Sequence, residues 1–278
     1  MAKSLVVPAP ALPTTRLGAL VGVLRLLVAS VVMAFSALTA GILIALGNDG
    51  ERYRCWNYGV LAWVLGLKIV THGFQNSARP QLLVCNHISY LDIIALGAAA
   101  EGAFVAKSEI AKWPVIGLMA RAGRSVFVDR RRTATGAARN QIQERLEAGE
   151  SLIMFPESTS GDGTRMLPFK SSLFTVAEQH DAQLNKQIGP ITVQPVSMAY
   201  TRLNGLPIGV GWRAYFAWFG DMELVPHLWQ LAKLGSITGE ITFHDPESRA
   251  EFPDRKALSA HCEKVCSDGM AQLLAGRH

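Results

Sequence analysis

Apolar residues are distributed differently in two parts of the chain, and each distribution predicts its own kind of structure. From residue 17 to residue 46 nearly every position is apolar, and Arg25 is the one charged residue. From residue 81 onward, short apolar runs alternate with longer stretches in which apolar residues recur every three or four positions. The first pattern is typical of a helix in contact with lipid, and the second of strands that alternate with helices.

The short runs are rich in branched residues and bounded by turn residues, which favours strands over helices. The predicted strands are 81–85, 103–106, 125–128, 151–155, 191–198 and 240–244. The predicted helices are 90–100, 113–122, 133–148, 171–179, 222–234 and 254–275. This alternation predicts an α/β fold with a mostly parallel sheet covered by helices, preceded by an N-terminal membrane-anchoring helical segment.

The N-terminal apolar stretch is long enough to cross the hydrocarbon core of a bilayer, about 30 Å at ~1.5 Å per residue. A cleaved signal peptide is the competing interpretation. The apolar region is long for a signal peptide, and no small-x-small site closes it, so we favour a retained anchor.

A second apolar run, 60–70, has a cluster of aromatic residues at its start and contains Lys68. The cluster consists of Tyr53, Trp56, Tyr58 and Trp63. Trp and Tyr are enriched at membrane interfaces, which predicts an interfacial helix; the alternative is an amphipathic helix packed on the folded domain. We therefore expect a flexible leader at 1–16, anchor and interfacial helices at 17–72, and a single folded domain at 73–278.

The formal net charge of +5 is modestly basic, and beside the apolar N-terminus it favours anionic lipid head groups as partners. Nucleic acid is not expected, because no basic run is interleaved with aromatic residues. The four cysteines form no paired framework: Cys85 lies in a predicted strand, and Cys262 and Cys266 lie one helical turn apart without a second ligand pair. We expect reduced thiols in a protein that faces the cytosol.

The strand 81–85 ends on Asn86 and His87, and a helical pattern then begins. Ser89 is positioned as an N-cap and Asp92 as the acid of a capping box. The same spacing lets the Asp92 carboxylate hold one imidazole nitrogen of His87 and leave the other to take a proton. The alternative is that His87 is a turn residue and Asp92 only caps the helix.

Three further predicted strands end on polar residues: Lys107, Arg130 and Glu157. In a parallel sheet these residues and His87 lie at one edge and face a single cleft. A base beside cations suits transfer onto an alcohol that is carried by an anionic molecule. Each residue also has a plain structural interpretation, as a solvated strand end, a solvated helix start or a loop cap.

Several other chemistries lack their first requirement. The chain contains no Gly-x-Ser-x-Gly, Walker phosphate loop, Gly-x-Gly-x-x-Gly or His-Glu-x-x-His.

Four sequence blocks resemble those of the glycerolipid acyltransferase family, the PlsC-type enzymes that acylate lysolipids. Residues 86–92 match N-H-x-x-x-x-D, 126–130 resemble F-[IV]-D-R, 155–157 match the start of F-P-E-G-T-R, and 193–196 resemble V-x-P-V. The resemblance implies that His87 deprotonates an acceptor hydroxyl, which attacks the thioester of acyl-CoA or acyl carrier protein, and that Asp92 orients the histidine. It implies neither a metal nor a cofactor.

The resemblance also implies an acceptor site shaped by the residues after the strands, with a membrane lysolipid as acceptor. The residues concerned are Lys107, Arg130, Glu157, Ser158, Thr159 and Arg165. It places the protein at the inner membrane, with its catalytic domain facing the cytosol.

One block departs from the family pattern. F-P-E-G-T-R is here F-P-E-S-T-S, and Arg165 five residues later is the candidate to replace the missing arginine. This loop, with 167–170 and 218–223, looks like the branch of lyso-ornithine lipid acyltransferases. Lysophosphatidate is the acceptor that we place first, narrowly, and lyso-ornithine lipid second. Two other classes remain: a lipid-binding membrane protein without activity, and, less supported, a metal-dependent hydrolase using His87 and Asp92.

Overall fold

A mixed, mostly parallel β-sheet forms the centre of the fold, as the alternating pattern predicts. The computed structural model describes residues 15–46, 50–113, 117, 120–121, 123–128, 136–177 and 191–277. The strands are β1 (Leu67–His72), β2 (Gln81–Cys85), β3 (Ala103–Lys107), β4 (Val126–Val128), β5 (Ser151–Met154), β6 (Thr192–Leu203), β7 (Leu206–Pro207), β8 (Ile237–Phe243) and β9 (Glu247–Ser248).

Helices surround this sheet. They are α1 (Arg16–Ala45), α2 (Glu51–Leu65), α3 (Leu91–Ala99), α4 (Gly136–Glu147), α5 (Val210–Phe216), α6 (Leu224–Ala232) and α7 (Arg255–Leu274), with short 3₁₀ helices at Ser108–Lys112, Ser171–Phe174 and Arg249–Glu251.

The strand order is β1-β8-β6-β2-β5-β3-β4, with β7 and β9 paired to β6. All neighbours from β6 to β4 are parallel, whereas β8 runs antiparallel to β6. The carboxyl ends of β2, β5, β3 and β4 therefore meet at one edge. This edge is where open α/β sheets bind their ligands.

The core has two layers because the central strands are buried on both faces. In β2, Leu83 and Cys85 point into one apolar cluster, while Leu82 and Val84 point into the other. Helices α3 and α6 pack on the first face, and α4 and the first half of α7 on the second. Alternating side-chain direction along a strand produces this division.

The prediction of a helix across 60–70 is wrong beyond Leu65, because the second half of the run is strand β1. Helix α2 ends at Leu65, and its C-cap residue Gly66 has a left-handed φ of 75°. A Cβ at Gly66 would lie 2.4 Å from Arg25 Nη2, so glycine also permits this close approach. The strand then pairs in parallel with β8, so the sheet begins at Leu67, ahead of the first predicted strand at 81–85.

Helix α2 has features of both interpretations that the sequence allowed. One face packs against α1 and α3: Leu61 and Val64 join a cluster with Ala29, and Cys55 Sγ donates to Ala100 O. Trp56 and Trp63 remain exposed.

Ser89 does not cap helix α3 with its side chain. The N-cap residue is Tyr90, and Ser89 Oγ has no hydrogen-bond partner within the described part of the chain. Asp92, which sits in the first turn, instead accepts a hydrogen bond from Ser89 N at 2.9 Å. The acid half of the predicted capping box is therefore present and the serine half is absent.

Helix α1 is long and apolar enough to cross a membrane over Arg16–Leu43, with a mean hydropathy of 2.3. Its one charged side chain in the apolar stretch, Arg25, points at the end of helix α6. Arg25 Nη1 donates to Ala232 O at 3.3 Å, Leu234 O at 2.5 Å and Gly235 O at 3.3 Å. These carbonyl groups lie at and just beyond the C-terminus of α6, where helical carbonyls lack intrahelical donors.

Candidate active site

His87 and Asp92 form a hydrogen-bonded pair at the carboxyl end of β2. The loop after β2 carries His87, the first turn of α3 carries Asp92, and His87 Nδ1 lies 2.8 Å from Asp92 Oδ2. The His87 side chain is 17% exposed and the Asp92 side chain is 0% exposed. The predicted contact between the imidazole and the carboxylate is thus present.

Four donors surround the Asp92 carboxylate. Besides His87, Oδ2 accepts from Ile88 N at 2.6 Å and from Ser89 N at 2.9 Å. The other oxygen, Oδ1, accepts from the hydroxyl of Tyr200 at 2.6 Å. A buried carboxylate is costly unless it is hydrogen-bonded, and these donors offset that cost. Asp92 both caps the helix and holds the histidine, so the two interpretations are compatible.

The imidazole ring of His87 lies against Phe155, with ring centroids 4.2 Å apart and an interplanar angle of 16°. Because Nδ1 faces the carboxylate, it carries the proton of a neutral imidazole and Nε2 presents its lone pair. Among the described residues Nε2 has no hydrogen-bond partner, and the ring keeps some exposure. Chemically, this nitrogen is placed to accept a proton.

Glu157 follows β5, the strand next to β2, and holds the backbone of the histidine loop. Its Oε1 accepts from His87 N at 2.7 Å, and its Oε2 accepts from Leu167 N at 2.9 Å. Burial raises the pKa of Glu157 to about 8, while the two backbone donors lower it. Through its two hydrogen bonds, the Glu157 side chain links the histidine loop to the polar loop that follows β5.

The polar loop after Glu157 folds back against the histidine loop. Gly161 N donates to His87 O at 2.8 Å, and Trp218 N donates to Ile88 O at 2.9 Å. The hydroxyl of Ser160 donates to Trp218 O. Segment 217–219 and the polar loop thus hydrogen-bond both to the histidine loop and to each other.

Ser158 occupies the position at which the family block has glycine, and its φ of 65° is left-handed. This conformation costs a non-glycine residue roughly 1–2 kcal/mol, which accounts for the glycine of the family pattern. Ser158 is buried, whereas Thr159 and Arg165 are exposed. The loop returns far enough for a Cβ on Gly161 to lie 3.4 Å from Arg165 O.

Lys107 is the last residue of β3 and is exposed. Since β3 lies two strands from β2, at ~4.8 Å per strand, Lys107 leaves the sheet about 10 Å from the histidine loop. Arg130, which follows β4 in the sequence, lies outside the described residues. The edge therefore carries His87, Glu157 and Lys107 in that spatial order.

Comparison with known proteins agrees with this geometry. The profile of the Acyltransferase family matches residues 68–199. A lyso-ornithine lipid O-acyltransferase from Brucella abortus is 36% identical over 264 residues, covering 93% of this chain and 98% of that protein. The chain belongs to this acyltransferase family.

Other relatives of the acyltransferase carry two kinds of name. A lyso-ornithine lipid O-acyltransferase from Rhizobium meliloti is 37% identical, with 93% of this chain and 87% of that protein covered. A 1-acyl-sn-glycerol-3-phosphate acyltransferase from Neisseria gonorrhoeae is 30% identical, with 78% and 83% covered. The predicted family is confirmed.

The fold of the acyltransferase is shared with a crystal structure of PlsC, the 1-acyl-sn-glycerophosphate acyltransferase from Thermotoga maritima. The TM-score is 0.66 at 22% sequence identity, over 91% of this chain and 95% of that one. The predicted fold class is confirmed.

The sequence motifs do not indicate the contacts of two residues of the candidate site. Phe155 was noted as part of a motif, but its stacking on His87 was not foreseen. Tyr200 was not singled out, because it lies 108 positions from Asp92. A signal was available: Tyr200 follows the V-x-P-V block on a strand that had to lie near β2 if the blocks form one site.

A pH-dependent difference in stability is expected for Glu157→Gln. The ordinary pKa of this carboxyl is 4.5, and burial raises it to about 8 in the folded protein. Between these values the unfolded chain loses the proton and the folded protein keeps it, so the contribution of Glu157 to stability falls as pH rises. Glutamine does not titrate, so the wild type should lose stability relative to the variant from about pH 4.5 to about pH 8.

Thermal denaturation in detergent across this pH range measures the difference. Glu251→Gln, a matched change of an exposed glutamate, serves as control and should follow the wild type. A constant gap between wild type and Glu157→Gln across the range would contradict the assignment.

Proposed function

We propose that this acyltransferase esterifies the hydroxyl of lyso-ornithine lipid with a fatty acyl group from an acyl thioester, using His87 as the general base. The observation that carries the reaction is the His87–Asp92 hydrogen bond at the sheet edge, with Nε2 directed away from the carboxylate. The Glu157 contact to His87 N supports it, since it fixes the backbone of the loop that carries the base.

The proposed step transfers one proton and one acyl group. His87 Nε2 takes the proton of the lipid hydroxyl as its oxygen attacks the thioester carbonyl carbon. Asp92 stabilises the imidazolium that forms. The tetrahedral intermediate then expels the sulfur, the C–S bond breaks, and the imidazolium returns the proton to the thiolate. The products are an ester and a thiol, and no acyl-enzyme forms.

The names of the relatives support lyso-ornithine lipid as the acceptor. Two relatives that match 93% of the chain are lyso-ornithine lipid O-acyltransferases. The loop agrees, because Ser160 stands where the family block ends in an arginine, and Ser158 stands where that block has glycine. Lyso-ornithine lipid offers a carboxylate and an amine in place of a phosphate. We therefore place it ahead of lysophosphatidate, which the motifs alone ranked narrowly first.

Lysophosphatidate remains the second candidate, favoured by the Neisseria gonorrhoeae relative. We propose that Lys107, Arg130, Glu157, Ser158, Thr159 and Arg165 shape the acceptor site. The donor would be acyl-CoA or acyl carrier protein. No metal or cofactor is needed in this mechanism, because both oxygens of Asp92 already accept hydrogen bonds and a thioester is itself activated.

We further propose that residues up to Leu65 hold the protein in the inner membrane, with the catalytic domain from Leu67 onward facing the cytosol. The apolar length of α1 and the exposed Trp56 and Trp63 on α2 support this arrangement. The leader that the sequence predicts at 1–16 lies outside the described residues up to residue 14, and Arg16 is already the first residue of α1.

The test is an acyl-transfer assay that offers lyso-ornithine lipid and lysophosphatidate side by side in membranes containing the protein, with labelled acyl thioester. A higher kcat/KM for lyso-ornithine lipid is expected. A preference for lysophosphatidate would reverse the order of acceptors and leave the reaction intact. If neither lipid were acylated, and purified protein consumed no thioester, the protein would be a lipid-binding protein.

Replacing Arg165 with alanine is expected to weaken acceptor binding and leave the donor unaffected. Arg165 is exposed on the polar loop beside the site, and its guanidinium suits a carboxylate or phosphate. We expect the acceptor KM to rise by about 10-fold, the size of one charge-assisted contact, with little change in the donor KM. Lys256→Ala, which removes an exposed cation at the start of α7, is the control. An unchanged acceptor KM would remove Arg165 from the site.

A further inference from the structure

The buried hydroxyl of Tyr200 lies on the side of Asp92 that faces away from His87. It donates to Asp92 Oδ1 at 2.6 Å, and the residue is 4% exposed. An ionised carboxylate only accepts hydrogen bonds, so the phenol is the donor. Burial, followed by the nearby charge of Asp92, raises the pKa of Tyr200 well above 10, so the phenol keeps its proton.

The two carboxylate oxygens of Asp92 accept hydrogen bonds from different parts of the chain. Oδ2 accepts from His87 Nδ1 and from the backbone N–H groups of Ile88 and Ser89, whereas Oδ1 accepts from Tyr200. Three of these donors belong to the histidine loop itself. Tyr200 is the donor that comes from another element, strand β6. It therefore fixes the plane of the carboxylate relative to the sheet.

Strand β6 holds the histidine motif at two points. At the start of the motif, Asn86 Oδ1 accepts from Met198 N at 2.7 Å, and Asn86 Nδ2 donates to Met198 O at 2.9 Å. At the end of the motif, Tyr200 binds Asp92. Met198 and Tyr200 are two positions apart, and both side chains join the core cluster on the α3 face of the sheet. Strand β6 thus binds both ends of the turn that contains His87, at Asn86 and at Asp92.

We propose that Tyr200 is a positioning residue for acyl transfer, acting through Asp92 to set the orientation and basicity of His87. This inference rests on the proposed role of His87 as base. Tyr200 does not touch the substrate, since its hydroxyl is buried against Asp92. Its effect falls on the proton-transfer step, not on substrate binding.

The remaining titratable groups near this carboxylate are few. Cys85 and Glu157 are its other acidic neighbours, and Tyr90 lies beside Tyr200. None of them donates a hydrogen bond to Asp92 in the described structure. Removing the Tyr200 hydroxyl therefore leaves Oδ1 without its donor, and the full negative charge of the carboxylate acts on the imidazolium.

The test is Tyr200→Phe, assayed with the preferred lysolipid and acyl thioester. We expect kcat to fall by about 10-fold, as for loss of one charge-assisted hydrogen bond, with the acceptor KM nearly unchanged. The acidic limb of the pH–rate profile should move to higher pH, because the unsatisfied carboxylate holds the imidazolium proton more strongly. Tyr215→Phe removes the hydroxyl of another buried tyrosine, whose ring packs beside Trp212 and Phe216, and should leave kcat, the acceptor KM and the pH limb unchanged.

A double-mutant cycle separates positioning from general packing. If Tyr200 acts through Asp92, adding Tyr200→Phe to Asp92→Ala should lower kcat no further. Full multiplication of the two losses would overturn the proposal, as would an unchanged kcat or an effect confined to KM. If Asp92→Ala does not fold, the test rests on Tyr200→Phe alone: a fall in kcat without a rise in the acceptor KM, together with the shift of the acidic limb, supports positioning through Asp92. Activity in a His87→Ala variant would instead refute the proposed function, independently of Tyr200.

Discussion

Replacing His87 with alanine will abolish acyl transfer while the protein stays folded. A general base contributes about 10²–10⁴-fold to a reaction of this kind, and no other described side chain is hydrogen-bonded to Asp92 in a position to replace it. We expect a loss on the order of 10³-fold in kcat, with both substrates still able to bind. Labelled acyl transfer in membranes, with both lysolipids, measures the loss.

The fold should survive this change because Asp92 keeps three of its four donors: Ile88 N, Ser89 N and the Tyr200 hydroxyl. His261→Ala is the matched control, since this histidine is half-buried on α7, pairs with Glu247 and lies outside the candidate site. The thermal denaturation midpoints of both variants should lie close to that of the wild type. Transfer that persists in His87→Ala near the original rate would reject the role of His87.

Asp92→Asn is expected to have the second largest effect, lowering turnover by about 10²–10³-fold. The side-chain amide has one oxygen, which can still accept from His87 Nδ1 and the two backbone groups on the Oδ2 side. The amide nitrogen then faces Tyr200, and the negative charge that stabilises the imidazolium is lost. The acceptor KM should change little, because Asp92 is completely buried.

Asp268→Asn provides the comparison, since Asp268 is exposed and its partner is Lys264 on the same helix. Kinetics of both variants, with circular dichroism to verify folding, distinguish a catalytic role from a structural one. If Asp92→Asn turned over at the rate of the wild type, Asp92 would be only the cap of helix α3.

The sequence predicted the site where local spacing determines the contact. His87 and Asp92 are five positions apart across a strand-to-helix turn, so the turn itself brings them together. The alignment of Glu157 and Lys107 with His87 followed from parallel strands, which the alternating pattern indicated. For these residues, chain order and strand direction were sufficient.

Where the sequence did not predict the structure correctly, contacts between residues far apart in the chain mostly determine it. The run 67–72 is apolar enough for a helix or a strand, and pairing with β8, about 170 positions away in the chain, decides for a strand. The contact of Tyr200 with Asp92 depends on β6 lying beside β2, which strand composition does not specify. Ser89 had the right chemistry for an N-cap, but Asp92 took its backbone N–H and helix α3 began one residue later.

The three carbonyl groups held by Arg25 have a practical consequence for handling this protein. Deleting α1 to obtain a water-soluble fragment would remove more than a membrane anchor. It would expose the end of α6 and the apolar side of α2 to solvent, and Leu234 O would lose the hydrogen bond from the Arg25 guanidinium. Helix α1 is therefore part of the folded domain. The position of His87 relative to the apolar surface of α1 is set by packing within the fold and not by a flexible linker.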